Sequence, residues 1–336
     1  MNETEALNPI HGDKSYFNIT QGSEIENKND NEARVKQKSS NQTSISSIKI
    51  ALFKTKVLLI RSFRDLYLRP KLWLGSIALH IFLAILFGII AGNVNTIVED
   101  TTGYIALSSL MLVFANIQFL FYMHKVNENF LKEHSRGLYS YISYWLAKSL
   151  PLYIIKVLNG LVFALILYGW IELNNTSDRF IFYLLIVSTL CIIGVEITDI
   201  VIYSSPTIRQ AYLNFPIVIF ILFYFSNFPV KPETYVYWMS PWVPSMSVFR
   251  WILQTTVLNE FEGDTETFPY VVQLGFDPWK YYKSIFGFGG KTRGYCYGIV
   301  LVNAIIYKVF SLIAIRFSSH RYRGKRHFYK LDKTAD

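Results

Sequence analysis

Long, sparsely charged apolar runs limit this chain more than any other feature. Six can be marked, over 72–92, 104–124, 144–171, 180–203, 211–229 and 295–317. A run of about 20 apolar residues crosses the roughly 30 Å hydrocarbon core as a helix. None of the six alternates apolar and polar residues with the period of a barrel strand. In lipid every backbone N–H and C=O must be bonded within the protein, which leaves helices as the solution. The chain is 51% hydrophobic over 336 residues, more apolar surface than one soluble globule of that size buries. The expectation is an all-α polytopic membrane protein with six transmembrane helices.

Charge placement orients the spans. Lys49, Lys54, Lys56, Arg61, Arg64, Arg69 and Lys71 precede the first run, and Arg321, Arg323, Lys325, Arg326, Lys330 and Lys333 follow the last. The 93–103 loop has no Lys or Arg, and the loop after the third run has Arg179 alone. The excess of basic residues puts both termini in the cytoplasm and those two loops outside. The basic tail abuts a membrane helix, so anionic lipid headgroups, and not nucleic acid, are its expected partner. Three segments follow: a disordered cytoplasmic tail over 1–48, a transmembrane domain over 49–318 and a basic cytoplasmic tail over 319–336. The sequons at Asn18 and Asn41 then lie inside, and those at Asn174 and Asn175 in a short outer loop.

Residues 49–69 form an interfacial segment. Leu52, Phe53, Val57, Ile60, Phe63 and Leu66 recur at helical spacing between basic residues, which predicts an amphipathic helix lying along the inner surface. Pro70 breaks it before the first span. A charged, helix-like stretch over Asn127–Gly137 joins the second and third spans. Within the long outer loop over 230–293, the aromatic stretch YVYWMSPWVPSMSVFRWILQTTVL predicts a short helix dipping back into the outer leaflet.

Chemistry-bearing motifs are sparse. Gly290-Lys291-Thr292 ends like a phosphate loop, but Ile285 stands where that loop needs its first glycine. Two cysteines, Cys191 and Cys296, make neither a disulfide framework nor a cysteine-built metal site. The histidines are scattered without zinc-ligand spacing, so no catalytic or metal constellation is expected. Ionisable residues inside the spans stand out, because such groups normally pair or line water. Glu196 and Asp199 are three apart and share a face of span four; Lys148, Lys156 and Lys308 are their candidate partners. This set reads either as a polar relay coupling helix movements or as a static cluster fixing helix packing. Gly88-x-x-x-Gly92 and Gly294-x-x-x-Gly298 fit a small-residue packing motif.

Three blocks in order resemble the membrane domain of G-subfamily (White and pleiotropic-drug-resistance type) ABC transporters, a domain of ABC-2 type. They are FKTKVLLIRSFRDLYLRPKLW, then LKEHSRGLYSYISYWLAKSLP, then the stretch from FSNFPVKPETYVYW to NEFEG; the likeness covers roughly 50–318. The resemblance implies a connecting helix, a cytoplasmic coupling helix and a re-entrant outer-loop helix beside the six spans. It implies coupling to a nucleotide-binding subunit through Glu128, Lys132, Glu133 and Arg136. It also implies a substrate cavity at a dimer axis, lined from span two by Phe114, Asn116 and Phe119 and from span five by Phe220, Phe223 and Phe228.

Such transporters carry a nucleotide-binding domain, and the 336 residues contain neither a phosphate loop nor an LSGGQ-like signature. ATP and Mg are therefore expected on a partner domain, and no cofactor and no enzymatic activity in this chain. The resulting expectation is the membrane subunit of an ATP-driven exporter of lipid-like or amphipathic small molecules, a homo- or heterodimer in the plasma membrane. A motorless regulatory scaffold and a polytopic membrane enzyme are the alternatives.

Overall fold

A computed structural model describes residues 49–91, 98–171, 173, 176–231, 234–240, 242–261 and 291–332, with side chains excluded at 91, 98–100 and 323–332. Among these residues there is no strand. The elements are α1 (49–67), α2 (Pro70–Ala91), α3 (Val98–Phe114), a 3₁₀ stretch (Ala115–Phe119), α4 (Leu120–Ser135), α5 (Tyr141–Ile171), α6 (Ser177–Ser204), α7 (Ile208–Tyr224), α8 (Val243–Met246), α9 (Val248–Phe261) and α10 (Arg293–Asp332). The expected tail over 1–48, most of the 230–293 loop, both outer sequons and Gly92 lie outside the described residues.

Among the described residues five helices are long and apolar enough to cross a membrane: Pro70–Ile90, Thr101–Ser135, Tyr141–Ile171, Ser177–Ser204 and Arg293–Tyr322. The chain is a multi-pass integral membrane protein. The expected span over 211–229 is different. It is the 17-residue α7, at the short end of the length that crosses the hydrocarbon core. The apolar pattern runs on through Phe228, but Asn227 takes a left-handed φ of 67°, and the helix ends two residues before it at Phe225. Asn tolerates that conformation better than most residues, so the turn is encoded locally.

The stretch over Asn127–Gly137 is not a separate helix. It is the end of a rod that runs through α3, the 3₁₀ stretch and α4. Thirty-five residues of helix span about 52 Å at 1.5 Å each, so the rod outlasts the hydrocarbon core. Gly137, at φ 77°, supplies the left-handed residue that stops it.

The outer-loop helix is present as two pieces, α8 and α9, divided at Ser247. All of α9 except Arg250 is buried. It packs against α3, α6, α7 and α10. Its polar side chains are enclosed as well: Thr255 and Thr256 donate to carbonyls one turn back, and Asn259 donates to the Arg179 carbonyl. The same holds for α6, where 193–199 are buried without interruption and which packs on α5 and α10. α2 packs chiefly on α5.

Glycines mark the closest approaches. A Cβ on Gly88 would stand 2.6 Å from the Trp170 ring, and one on Gly194 would stand 2.7 Å from Asn116 Nδ2. One on Gly160 would collide with Cys191 Sγ. Gly294 and Gly298 face open space, so that pair packs on nothing described in this chain.

Candidate functional site

The charges inside the spans form two separate clusters. In the first, Lys148 of α5 donates to Asp199 Oδ1 of α6 at 2.6 Å and to the Tyr203 hydroxyl at 3.1 Å. Lys308 of α10 donates to Glu196 at 3.0 Å and to Ser149 and Tyr153 at 2.7 Å each. Tyr153 and Ser311 also donate to Glu196. Asp199 and Glu196 are fully buried, so each cation offsets a carboxylate that water cannot reach. Glu196 and Asp199 being one helical turn apart on α6 is what lets one helix engage α5 and α10 together.

Lys156 does not join that cluster. Its Nζ lies 4.0 Å from the Phe119 ring centroid and 3.5 Å from Ser76 Oγ of α2. Asn159 and Gln118 donate to the same hydroxyl at 2.6 and 2.7 Å, and His80 Nδ1 lies 2.7 Å from the Ser76 carbonyl. A second polar knot thus ties α2, the 3₁₀ stretch and α5 around Ser76. The carboxylates sit one helix away, on α6. Sequence reading missed Ser76, His80, Gln118 and Asn159. Their only signal was several hydrogen-bonding side chains within otherwise apolar runs.

At the α4 end, Glu133 accepts two parallel bonds from Arg61 of α1, both 2.8 Å, and one from the Tyr139 hydroxyl at 2.6 Å. Glu133 holds the Arg61 guanidinium above its ordinary range. Burial first, and Glu133 next, push the Tyr139 phenol up. Glu133 is therefore engaged inside the chain. Glu128, Lys132 and Arg136, at successive i,i+4 steps, are exposed, and Glu128 lies 3.7 Å from His124.

Of the aromatic candidates, Phe114 meets Phe220 at 6.1 Å and Phe215 at 6.2 Å between ring centroids. Phe114 is half-buried and Phe220 is 53% exposed. Asn116, Phe119 and Phe223 are buried within the chain, Asn116 donating to the Val113 carbonyl at 3.0 Å. Phe223 packs edge-on against Phe249 at 5.7 Å and beside Phe228 at 6.4 Å. The structure brings Phe114 and Phe220 to one open face, buries Asn116, Phe119 and Phe223, and leaves Phe228 half-buried beside Phe223.

A further set went unread in the sequence. Asn259 donates to the Arg179 carbonyl at 2.9 Å, Arg293 donates to Asn259 at 3.3 Å and pairs with Asp178, and Arg179 donates to the Glu260 carbonyl. This clamp joins the ends of α6, α9 and α10.

The described residues thus form an all-α membrane bundle with polar knots between its helices and a buried loop helix. The ABC-2 type transporter family matches residues 54–261, and the chain belongs to that family. A relative is the ABC transporter G family member 1 of Dictyostelium discoideum, 28% identical over 196 residues. The match takes in 54% of this chain and 24% of that protein, so the chain corresponds to about a quarter of the relative's length.

Proposed function

We propose that this chain is the membrane-spanning part of an ATP-driven exporter of lipid-like or amphipathic small molecules. It acts as a dimer in the plasma membrane with both termini inside, driven by a nucleotide-binding domain outside this sequence. The observation that carries the reading is the continuous rod Thr101–Ser135. One end bears the exposed charges Glu128 and Lys132, followed by Arg136, and the middle bears Phe114 beside Phe220. A displacement imposed on the charged end passes through α4 and the 3₁₀ stretch to Phe114, the last residue of α3. Family membership and the name of the relative support the same reading.

Reconstitution with a candidate nucleotide-binding subunit tests it. Cargo-stimulated ATP hydrolysis is expected, and it should fall when Lys132 and Arg136 are both replaced by Glu. Each lost charge-assisted contact costs about 1.5–3 kcal/mol of docking. Binding of the subunit without any stimulated hydrolysis or transport would replace this reading with the scaffold.

A further inference from the structure

Below the polar clusters, α1, the start of α2, α4 and the start of α5 enclose an open cavity of about 660 Å³. That volume lies within the roughly 300–1,000 Å³ of small-molecule sites. Its polar wall is cationic. Arg61 is matched by Glu133, Lys148 by Asp199, and Arg69 by Asp65 at 3.2 Å, with the Tyr122 hydroxyl donating to Asp65 at 3.0 Å. Lys71 and Lys125 also line the cavity, both exposed, and neither has a carboxylate partner among the described residues. The other wall is apolar and open outward, with Leu68 65% and Phe121 61% exposed.

Two unmatched ammonium groups beside an apolar slot call for an occupant with an anionic head and a hydrocarbon body. We infer that this cavity holds an anionic phospholipid, its phosphate between Lys71 and Lys125 and its acyl chains along Leu68 and Phe121. The leaflet follows from the orientation proposed above, in which the α1 side faces the cytoplasm, where anionic lipids concentrate. A bound lipid would brace α1 against the rod that carries Glu133, and so set how firmly that corner is held.

The full chain, purified in mild detergent, is titrated in native mass spectrometry with phosphatidylglycerol, phosphatidylcholine and glycerol 3-phosphate. Phosphatidylglycerol should be retained about thirtyfold better than phosphatidylcholine, as two basic contacts to an anionic headgroup supply. Lys71→Gln/Lys125→Gln should erase that preference, and Lys125→Gln alone should reduce it. Both lysines are exposed and unpartnered, so the fold should survive. Lys291→Gln, outside the cavity, should leave the preference intact. Equal retention of the two lipids, an unchanged preference in the double variant, or an equal loss in Lys291→Gln would overturn the assignment. Glycerol 3-phosphate binding as tightly as the lipid would also overturn it, in favour of a soluble phosphate ligand. No nucleotide-binding subunit enters this measurement, so failure of the transport reading leaves it standing, and topology tags test the leaflet separately.

Discussion

Arg61 and Glu133, 72 positions apart, meet as a two-pronged fork with both nitrogen–oxygen distances at 2.8 Å. The fork fastens the surface helix α1 to the end of the rod. Arg61 is more than half exposed, so the pair contributes about 1 kcal/mol or less to stability. Its consequence is geometric: α1 and α4 hold one relative position. Glu133→Arg would set two guanidinium groups against each other and remove the acceptor of the Tyr139 hydroxyl. The expected outcome is a lower melting temperature and weaker stimulated ATP hydrolysis by a docked subunit. The swap Arg61→Glu/Glu133→Arg should recover much of both. Equal defects in the single and swapped variants would show that the fork itself does not matter.

Breaking the Lys148–Asp199 pair should be far more damaging. Both side chains are buried, and removing one leaves the other charge unmatched, at a cost of about 3–5 kcal/mol. Lys148→Met should therefore unfold at much lower denaturant. Lys148→Met/Asp199→Leu should recover most of the loss, because the second change removes the stranded carboxylate. Denaturation in detergent, followed by circular dichroism, measures the difference. A double variant as unstable as the single would point to the Tyr203 bond as the main contributor.

Gly160 offers a test of helix spacing. A methyl group there collides with Cys191 Sγ, so Gly160→Ala should force α5 and α6 apart and destabilise by about 1–3 kcal/mol. Cys191→Ala in the same chain should relieve the collision. Non-additive melting temperatures in the double variant are the expected result; simple additivity would mean that the helices adjust without cost.

The spans were legible because apolar run length is a local property. So was the pairing of buried carboxylates with buried lysines, since lipid tolerates no lone charge. Which lysine pairs with which carboxylate was not, because helix rotation and register are set by contacts far apart in sequence. Lys156 illustrates this: it settles on Ser76, 80 positions upstream, and on the Phe119 ring. The fork has the same cause. Glu133 stood out as charged and Arg61 as one of many basic residues, and only the folded chain joins them. The turn at Asn227, just beyond α7, did have a local signal, an Asn followed two residues later by Pro229, but continuing Phe residues masked it.

Topology can be read in sealed cells. The basic flanks of the first and last spans predict that tags at either terminus resist external protease. A tag at Gly263 should be cut. Cleavage of a terminal tag, with protection at Gly263, would invert the molecule in the membrane.

The aromatic candidates divide cleanly by experiment, because burial separates them. Phe119 is 1% exposed and lies under the Lys156 ammonium; Phe223 is 8% exposed and packs on Phe249. Phe119→Ala and Phe223→Ala leave cavities in the helical core and should each cost about 3–5 kcal/mol. Their effect on transport would then follow their effect on the amount of folded protein. Phe220 is more than half exposed and Phe114 is half-buried beside it, so truncation there opens little of the core. Phe220→Ala should stay within about 0.5 kcal/mol of the parent chain, the range for surface substitutions, and the half-buried Phe114→Ala should cost about 1 kcal/mol, less than a core truncation. If the open face receives cargo, these two variants should shift the cargo concentration that half-stimulates ATP hydrolysis by about two- to tenfold, leaving basal hydrolysis unchanged. That shift is what loss of one aromatic contact, at about 0.5–1.5 kcal/mol, supplies. Melting curves and cargo titrations on the same four preparations decide the matter. Unshifted titrations for Phe114→Ala and Phe220→Ala would remove this face from the cargo path and assign it to lipid or to a second subunit.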